Sequence, residues 1–428
     1  MSDDENIQRD AVADYVIALM AAALHGERAG DKPAAITWEQ VWRLVSRHAI
    51  APMTFPALSE GAVADMLASV SEGWQRAADM ALFQQVGYDV DRETILADFR
   101  EAGLSWIPLK GIMVATYYPH PGMRSMSDQD IVVGFVEPDG KGGYRPRGRT
   151  DEERARWARN ADEVENSVMA KLGYRELSDV GREHSFGKAT LHFELHRSLL
   201  DAAELAKGQA YRSELDYYAN PWNLAKPTET VPGEFRFDLA DEYVFHIDHM
   251  SKHYRGSGFG LRFLADEYVY CMRFPDTVGS RLVAERLQKL GLDYFEHAVR
   301  ELSVLIFRHP EDWRERVGTE ELALLEDVLS GGTYGSLERR VGRRLAGAVA
   351  GQSDGKLKVT MDGEAHTHTF RYIRNRLFPP KAWVEAYYPA WSRNAFTRFL
   401  LLFHRIKEGL RERPALLRRE LELLFKRR

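Results

Sequence analysis

The chain has 428 residues, of which 44% are hydrophobic and 29% are charged, and this is the composition of an ordinary globular protein. The length exceeds what one hydrophobic core usually organises, so we expect more than one packed unit. The net charge of −6 gives no overall attraction to nucleic acid or to an anionic membrane. A single cysteine, Cys271, excludes an intramolecular disulfide and fits a reducing compartment. No apolar run is long enough to span a bilayer, and we therefore expect a cytoplasmic protein.

The first hundred residues predict helices. An Ala-rich apolar segment runs from Ala11 to His25 and ends at a glycine. Thr37, with Gln40 three residues later, has the spacing of a capping box and marks the start of the next helix. The longest helix is predicted from about Glu72 to Ala102, with an apolar face that includes Ala78, Ala81, Leu82, Val86, Ile95, Leu96 and Phe99. Nothing in this region resembles a catalytic motif, so we expect it to cover a sheet.

A short stretch after these helices carries the strongest functional signal. It contains an apolar strand (104–109), then Lys110-Gly111, a helical segment (112–118), and a second strand that begins at Asp128. Asp128 and Asp130 are two residues apart, and this spacing places both carboxylates on one face of a strand. Adjacent carboxylates repel each other, and a divalent cation such as Mg²⁺, which prefers oxygen ligands and substrate phosphates, relieves that repulsion. The alternative is an acidic pair in a surface turn.

The residues that precede this acidic pair favour the metal site. A glycine at the start of a helix lets backbone N–H groups approach an anion closely, so Gly111 followed by the acidic pair predicts a site for a metal–nucleotide complex. The arrangement resembles the polymerase-β-type nucleotidyltransferase superfamily, and in more detail a family of uncharacterised bacterial nucleotidyltransferases. The residues that carry this resemblance are Leu109-Lys110-Gly111, Tyr118-Pro119, Arg124 and Asp128-Gln129-Asp130-Ile131. Lys110-Gly111 stands where the wider superfamily has Gly-Ser or Gly-Gly.

Two further strands are predicted on either side of a hairpin turn at 187–190. Enzymes of the resembled superfamily place a third carboxylate on a strand next to the acidic pair, and the resembled family adds a histidine two residues later. Glu194 and His196 match that pattern. The resemblance therefore implies Glu194 as a metal ligand or as the base that accepts a proton from the acceptor. For His196, contact with phosphate or with a metal ligand and a structural hydrogen bond are both open.

Other segments are less specific. The polar residues 137–160 predict an exposed loop, followed by a helix from Ala161 to Leu172 that Gly173 closes. His249 and His253 have the spacing of a zinc-binding helix, although Met250 stands where that motif needs Glu. The resembled family has a similar H-x-x-K-H helix followed by L-R-x-x-x-D, which implies contact of Lys252 or Arg262 with phosphates. An interdomain polar network is the alternative.

We therefore expect an α+β protein with a small mixed nucleotidyltransferase sheet flanked by helical regions. The predicted divisions are a helical region (1–102), the α/β core (103–200) and a helical C-terminal domain (201–428). The expected reaction is transfer of a nucleoside monophosphate from an NTP, with ATP as first choice, to the hydroxyl of a small molecule, protein or RNA. Candidate metal ligands and catalytic residues are Asp128, Asp130 and Glu194, with Mg²⁺ or alternatively Mn²⁺. Candidate nucleotide-binding residues are Lys110, Gly111, Arg124, His196, Lys252 and Arg262.

Two other functions fit the same fold. A phosphotransferase would move the γ-phosphate instead, and a catalytically silent binding protein would use the fold for a partner. The basic tail, residues 404–428, holds nine Lys and Arg and four Glu. Such a tail can contact an anionic membrane or nucleic acid, but we favour a packed helix with one solvated face.

Overall fold

The computed structural model describes residues 3–180, 183–200, 216–333 and 335, with 381, 384, 388, 391, 392 and 394–412. The chain begins with five helices: α1 (Asp3–His25), α2 (Trp38–Arg47), α3 (Ala51–Thr54), α4 (Glu60–Asp65) and α5 (Ala68–Glu101). The predicted capping box is confirmed, because the Thr37 side chain accepts from the Gln40 N–H and the Gln40 side chain accepts from the Thr37 N–H. The two bonds satisfy donors that would otherwise be orphaned at the start of α2.

The predicted apolar face of the long helix α5 is wrong in part. Leu82 and Val86 are 46% and 53% exposed, whereas Tyr88, Ile95 and Phe99 are buried. Gln85 lies on the same helix face as these buried residues. Its Oε1 accepts the Gly122 N–H at 2.6 Å. A polar residue thus occupies the inward position and keeps a partner there, so the nearby apolar residues turn outward.

The central sheet has five strands in the order β1-β2-β7-β6-β5. Its strands are β1 (Ser105–Pro108), β2 (Gln129–Gly134), β5 (Arg175–Val180), β6 (Glu183–Lys188) and β7 (Leu191–His196). β2 and β7 run parallel, and the other neighbours are antiparallel. The short helix α6 (Gly111–Ala115) follows β1. The predicted strand–helix–strand order and the hairpin around 187–190 are confirmed, as is the α+β class.

The predicted exposed loop at 137–160 is wrong. A hairpin, β3 (Val136–Pro138) with β4 (Tyr144–Pro146), occupies its first part, and α7 (Asp151–Lys171) begins ten residues before the predicted helix start at Ala161. The reason is a second capping box, in which Thr150 and Glu153 bond each other's backbone N–H groups. The acidic first turn of α7 also suits the positive end of the helix dipole.

The remainder of the described chain is mostly helical. Its elements are α8 (Pro221–Leu224), β8 (Ala225–Pro227), β9 (Phe235–Phe237), α9 (Leu239–Arg255), α10 (Leu261–Arg273), α11 (Pro275–Val278), α12 (Arg281–Leu290), α13 (Asp293–Arg308), α14 (Trp313–Arg316), α15 (Thr319–Gly331) and α16 (Ala395–Glu412). Residues 413–428 of the predicted basic tail lie outside the described residues. Among the helices that are described, none has both the length and the hydropathy needed to cross a bilayer.

The two faces of the sheet pack against different cores. Ile131, Val133 and Phe193 point into a cluster with the second half of α5 and with α7. Ile107 and Val132 point to the opposite face, where a larger cluster joins α1 and α2 to α9, α10 and α13. Since side chains alternate along a strand, Asp130 and Glu194 share this second face. The helical segments from both ends of the chain therefore cover the face that carries the acidic residues.

Candidate active site

The sheet register brings the predicted carboxylates together. β2 and β7 are parallel neighbours, and their pairing sets Asp130 directly opposite Glu194. Adjacent strands lie about 4.8 Å apart, and Asp128, two residues before Asp130, is placed toward the same side. Ligand atoms of Asp130, Glu194 and His196 all lie within 4.8 Å of one another, so these three residues could hold a metal ion. The parallel pairing of β2 with β7 creates the proximity of Asp130 and Glu194, which are 64 residues apart in sequence.

Asp130 is oriented through one of its two oxygens. Its Oδ1 accepts from the Lys110 ammonium at 2.6 Å and lies 2.7 Å from His196 Nε2. Burial alone would raise the pKa of Asp130, but the Lys110 charge and the His196 hydrogen bond hold that pKa well below its usual range. Within the described chain, Oδ2 has no hydrogen-bond donor. Asp130 is thus ionised and fixed in place, with one oxygen left to face a ligand.

The other two carboxylates lack such partners. Neither Asp128 nor Glu194 accepts a hydrogen bond from any residue that the structure describes. Burial and the Asp130 charge raise the pKa of Asp128, and the same two causes raise the pKa of Glu194 to about 8. The two groups are therefore partly desolvated beside an ionised neighbour, and the ion-pair contact of Glu194 with His196 Nε2 is long, at 3.9 Å. A cation among the three carboxylates would relieve this repulsion.

The turn that carries Lys110 has an unusual backbone. Lys110 has φ 47° and ψ −117°, in a region that side-chain-bearing residues rarely adopt. The Leu109 N–H bonds the Asp130 carbonyl at 3.0 Å, which ties the turn to β2. Strain of this kind persists where the surroundings over-determine it. Here the strained backbone aims the ammonium at the Asp130 carboxylate.

Arg124 and Tyr118 meet in a buried network with Asp266 of α10. Arg124 donates from Nε and Nη2 to the two Asp266 oxygens at 2.8 and 2.9 Å, and the Tyr118 hydroxyl donates to Asp266 Oδ1 at 2.8 Å. Burial would raise the pKa of Asp266, but the Arg124 charge and hydrogen bonds lower it. A Cβ added at Gly111 would lie 2.8 Å from Arg124 Nη1. Gly111 therefore lets the guanidinium approach the Lys110 turn.

Arg262 and Lys252 stand in a polar network. Arg262 is buried and donates from Nη1 to the Ser125 carbonyl at 2.8 Å, and its charge is among those that oppose the rise in the Asp128 pKa. Lys252 pairs with buried Asp248 at 2.6 Å. These contacts are those of the polar-network alternative, and phosphate binding by Lys252 or Arg262 stays a prediction.

His249 and His253 face each other with their Nε2 atoms 3.1 Å apart. Burial is the main cause that lowers the pKa of His249 well below its usual range, and the positive charge of Lys110 acts in the same direction. The ring of His253 also lies beside that of Phe263. His249 is therefore close enough to Lys110 and Asp130 for their charges to act on it. Among the described residues, no third side chain completes a metal site with His249 and His253.

A cleft of about 410 Å³ opens beside Asp128 and Glu194. Its wall includes Ser178 and Ser185, which the sequence reasoning did not select. The signal for Ser185 was present, because a two-residue turn at Ala189-Thr190 fixes the hairpin register and pairs Ser185 with Glu194. The position of Ser178 depends on how β5 pairs with β6. That pairing includes a bulge, so its register cannot be predicted from the length of the turn.

Comparison with known proteins identifies one family. Neither the curated proteins nor the solved structures give a match. The model of a protein family described as "uncharacterised nucleotidyltransferase" matches residues 34–135 and 159–308. The two regions contain the Lys110 turn, the acidic pair, Glu194, and the α9 and α10 residues of the site, and they cover more than half of the chain. This protein therefore belongs to that nucleotidyltransferase family.

Proposed function

We propose that this protein is a metal-dependent nucleotidyltransferase that transfers a nucleoside monophosphate from an NTP, with ATP as first choice, to an acceptor hydroxyl. The observation that carries the proposal is the set of three carboxylates on one sheet face. One of them is ionised and fixed by Lys110 and His196, and the other two have raised pKa values and no described hydrogen-bond donor. A site that needs cations to offset its own charge suits a reaction on a metal–triphosphate complex.

The donor set fits Mg²⁺ or Mn²⁺, because both ions take carboxylate oxygens. Asp128, Asp130 and Glu194 would hold the ions. When bound, the ions would neutralise charge on the triphosphate and on the attacking and leaving oxygens of an in-line displacement. His196 acts by orienting Asp130. Glu194, as the ligand farthest along the sheet toward the cleft, stands where it can accept the proton of the acceptor hydroxyl.

In this proposal Lys110 and Arg124 bind the triphosphate. Lys110 already lies beside Asp130, and Arg124 is anchored through Nε and Nη2 while Nη1 lies over Gly111. Within the described residues, Nη1 has no hydrogen-bond acceptor. Arg262 adds positive charge near Asp128, and Lys252 stands on the neighbouring helix. Fixed positive charge aimed at a phosphoryl group supplies most of the catalysis in such transfers.

The proposed reaction is an in-line displacement at the α-phosphorus. The acceptor oxygen forms a bond to the α-phosphorus of the NTP, the bond from that phosphorus to the bridging oxygen breaks, and pyrophosphate leaves. The hydroxyl proton moves to Glu194 or through it to solvent. A phosphotransferase would instead break the bond at the γ-phosphorus and leave ADP.

The test uses ATP labelled at either the α- or the γ-phosphate, with Mg²⁺ or with chelator, and extracts or acceptor pools. We expect transfer of the α-label with release of pyrophosphate, only with metal. Glu194→Gln and Asp130→Asn should abolish it, whereas Glu163→Gln, at an exposed carboxylate of α7, should retain most of it. Transfer of the γ-label would establish the phosphotransferase, and metal-independent nucleotide binding without transfer would favour the silent binding protein.

A further inference from the structure

Four side chains form a row across one face of the sheet. Asp130 pairs with Glu194 across β2 and β7, Glu194 pairs with Ser185 across β7 and β6, and Ser185 pairs with Ser178 across β6 and β5. Paired residues on adjacent strands point to the same side, and the strands are about 4.8 Å apart. The row therefore runs from the carboxylates to two hydroxyls over about 14 Å, three strand spacings.

The cleft follows this row. The residues that line it are Ser127, Asp128, Leu177, Ser178, Ser185, Phe186, His192, Phe193 and Glu194. Small serine side chains leave the space open where larger residues would fill it. The hydroxyls of Ser178 and Ser185 bond no residue in the described part of the chain, so both can donate to and accept from a bound molecule. A cleft of this volume suits a ligand of small-molecule size.

The charge of the wall decides what can bind there. Among the described residues that line the cleft, none is a lysine or an arginine, and two are carboxylates. Glu183 is a further carboxylate, and it lies two residues before Ser185 on β6, on the same face of the sheet. A phosphorylated acceptor or a polynucleotide would bring more negative charge to this wall, and recognition of phosphate usually relies on Arg, Lys or backbone N–H groups. Leu177, which is 56% exposed, adds an apolar surface to the lining of the cleft.

We propose that this cleft is the acceptor subsite and that its ligand is an uncharged polyhydroxy compound of mono- or disaccharide size. This inference rests on the proposed function. Ser178 and Ser185 would hold ring hydroxyls, Leu177 would contact an apolar ring face, and the next hydroxyl along the row would lie beside Glu194. Ser185 is one strand spacing from Glu194, about 4.8 Å, so a single bound sugar ring can reach both side chains.

The experiment offers α-labelled ATP and Mg²⁺ with three acceptor pools: unphosphorylated mono- and disaccharides, the matching sugar phosphates, and deacylated tRNA. Wild-type protein should label the first pool at least about tenfold faster than the others, which corresponds to about 1.4 kcal/mol. Ser185→Phe and, separately, Ser178→Leu should lower kcat/KM for the acceptor about tenfold or more, mainly through KM. Both variants should keep the thermal shift with MgATP, which also reports that they fold. Ser69→Phe, at an exposed serine of α5, is the matched control and should change neither readout.

The outcomes separate this inference from the proposed function. Preferential labelling of sugar phosphates or tRNA would overturn the assignment of the acceptor. Unchanged acceptor kinetics in both cleft variants would overturn the location of the subsite, and so would labelling of none of the pools by a protein that binds MgATP. Absence of any metal-dependent MgATP shift in the wild type would instead remove the proposed function, and the inference with it.

Discussion

The buried Arg124–Asp266 pair gives the most quantitative prediction. The side chains are 10% and 0% exposed and share two hydrogen bonds at 2.8 and 2.9 Å. Replacing Arg124 with Met leaves a buried carboxylate whose remaining described hydrogen bond comes from Tyr118. Breaking a buried pair from one side costs about 3–5 kcal/mol, because the other charge remains uncompensated. We expect Arg124→Met to lower the free energy of unfolding by that amount.

The partner variant shows whether the cost is truly electrostatic. Asp266→Asn should also be strongly destabilising, since it removes the negative charge and replaces one of the two acceptor oxygens with an NH2 donor that faces the guanidinium. The double variant should lose less than the sum of the singles, by about 2 kcal/mol or more, because groups in direct contact are not additive. Arg124→Lys keeps the charge but not the bidentate hydrogen bonding, and we expect it to lower the free energy of unfolding by an intermediate amount.

Urea unfolding of the wild type, the three single variants and the double variant measures these differences, with fluorescence and circular dichroism as two probes of the same transition. Additive effects within about 0.5 kcal/mol would refute the reasoning. A loss below about 1 kcal/mol for Arg124→Met would refute it as well, and would mean that the pair is solvated in the native protein.

Three further predictions concern the same region and the core. Lys110→Gly and Lys110→Ala both remove the ammonium, but only Gly suits the positive φ, so Lys110→Gly should be more stable in urea by about 1 kcal/mol; equal stabilities would argue against strain. Gly111→Ala should cost about 1–3 kcal/mol through overpacking against Arg124, and most of this cost should vanish in an Arg124→Met background. Burial lowers the pKa of His48 from 6.5 to about 4, so as the pH falls the unfolded chain takes up a proton on His48 before the folded protein does. The stability that neutral His48 contributes is therefore intact above pH 6.5 and falls as the pH drops toward 4. We expect a loss of about 2 kcal/mol at pH 5, which His48→Gln should remove from the pH profile of urea unfolding.

Much of the sheet was predictable from local chemistry. The hairpin predicted around 187–190 is present, with its turn at Ala189-Thr190, and Glu194 and His196 were selected from the resemblance to a nucleotidyltransferase family. The acidic pair before Ile131 marked the second strand of the core. These features depend on neighbours in sequence or on turn geometry, and both can be read without knowing the tertiary structure.

Other features depended on partners distant in sequence. Gln85 occupies an inward position of α5 because Gly122 supplies a backbone donor, and no pattern within the helix reveals that. The start of α7 was missed although Thr150 and Glu153 carry the capping-box spacing, because the surrounding Gly, Pro and charge favoured a loop. The anchoring of Arg124 by Asp266 joins positions 142 residues apart, and only the fold shows that two separate motifs form one network.

The central claim is that the carboxylates of Asp128, Asp130 and Glu194 hold a metal–nucleotide complex. Thermal stability is measured with ATP, GTP, CTP and UTP, each with Mg²⁺ or with chelator, on the wild type and on Asp128→Asn/Asp130→Asn. A ligand at a hundredfold excess over its Kd stabilises the native state by about 2.7 kcal/mol. We expect such a shift with at least one nucleotide, most of all ATP, only when metal is present, and we expect the double variant to lose it. A shift that persists with chelator or in the double variant, or no shift with any nucleotide, would contradict the claim.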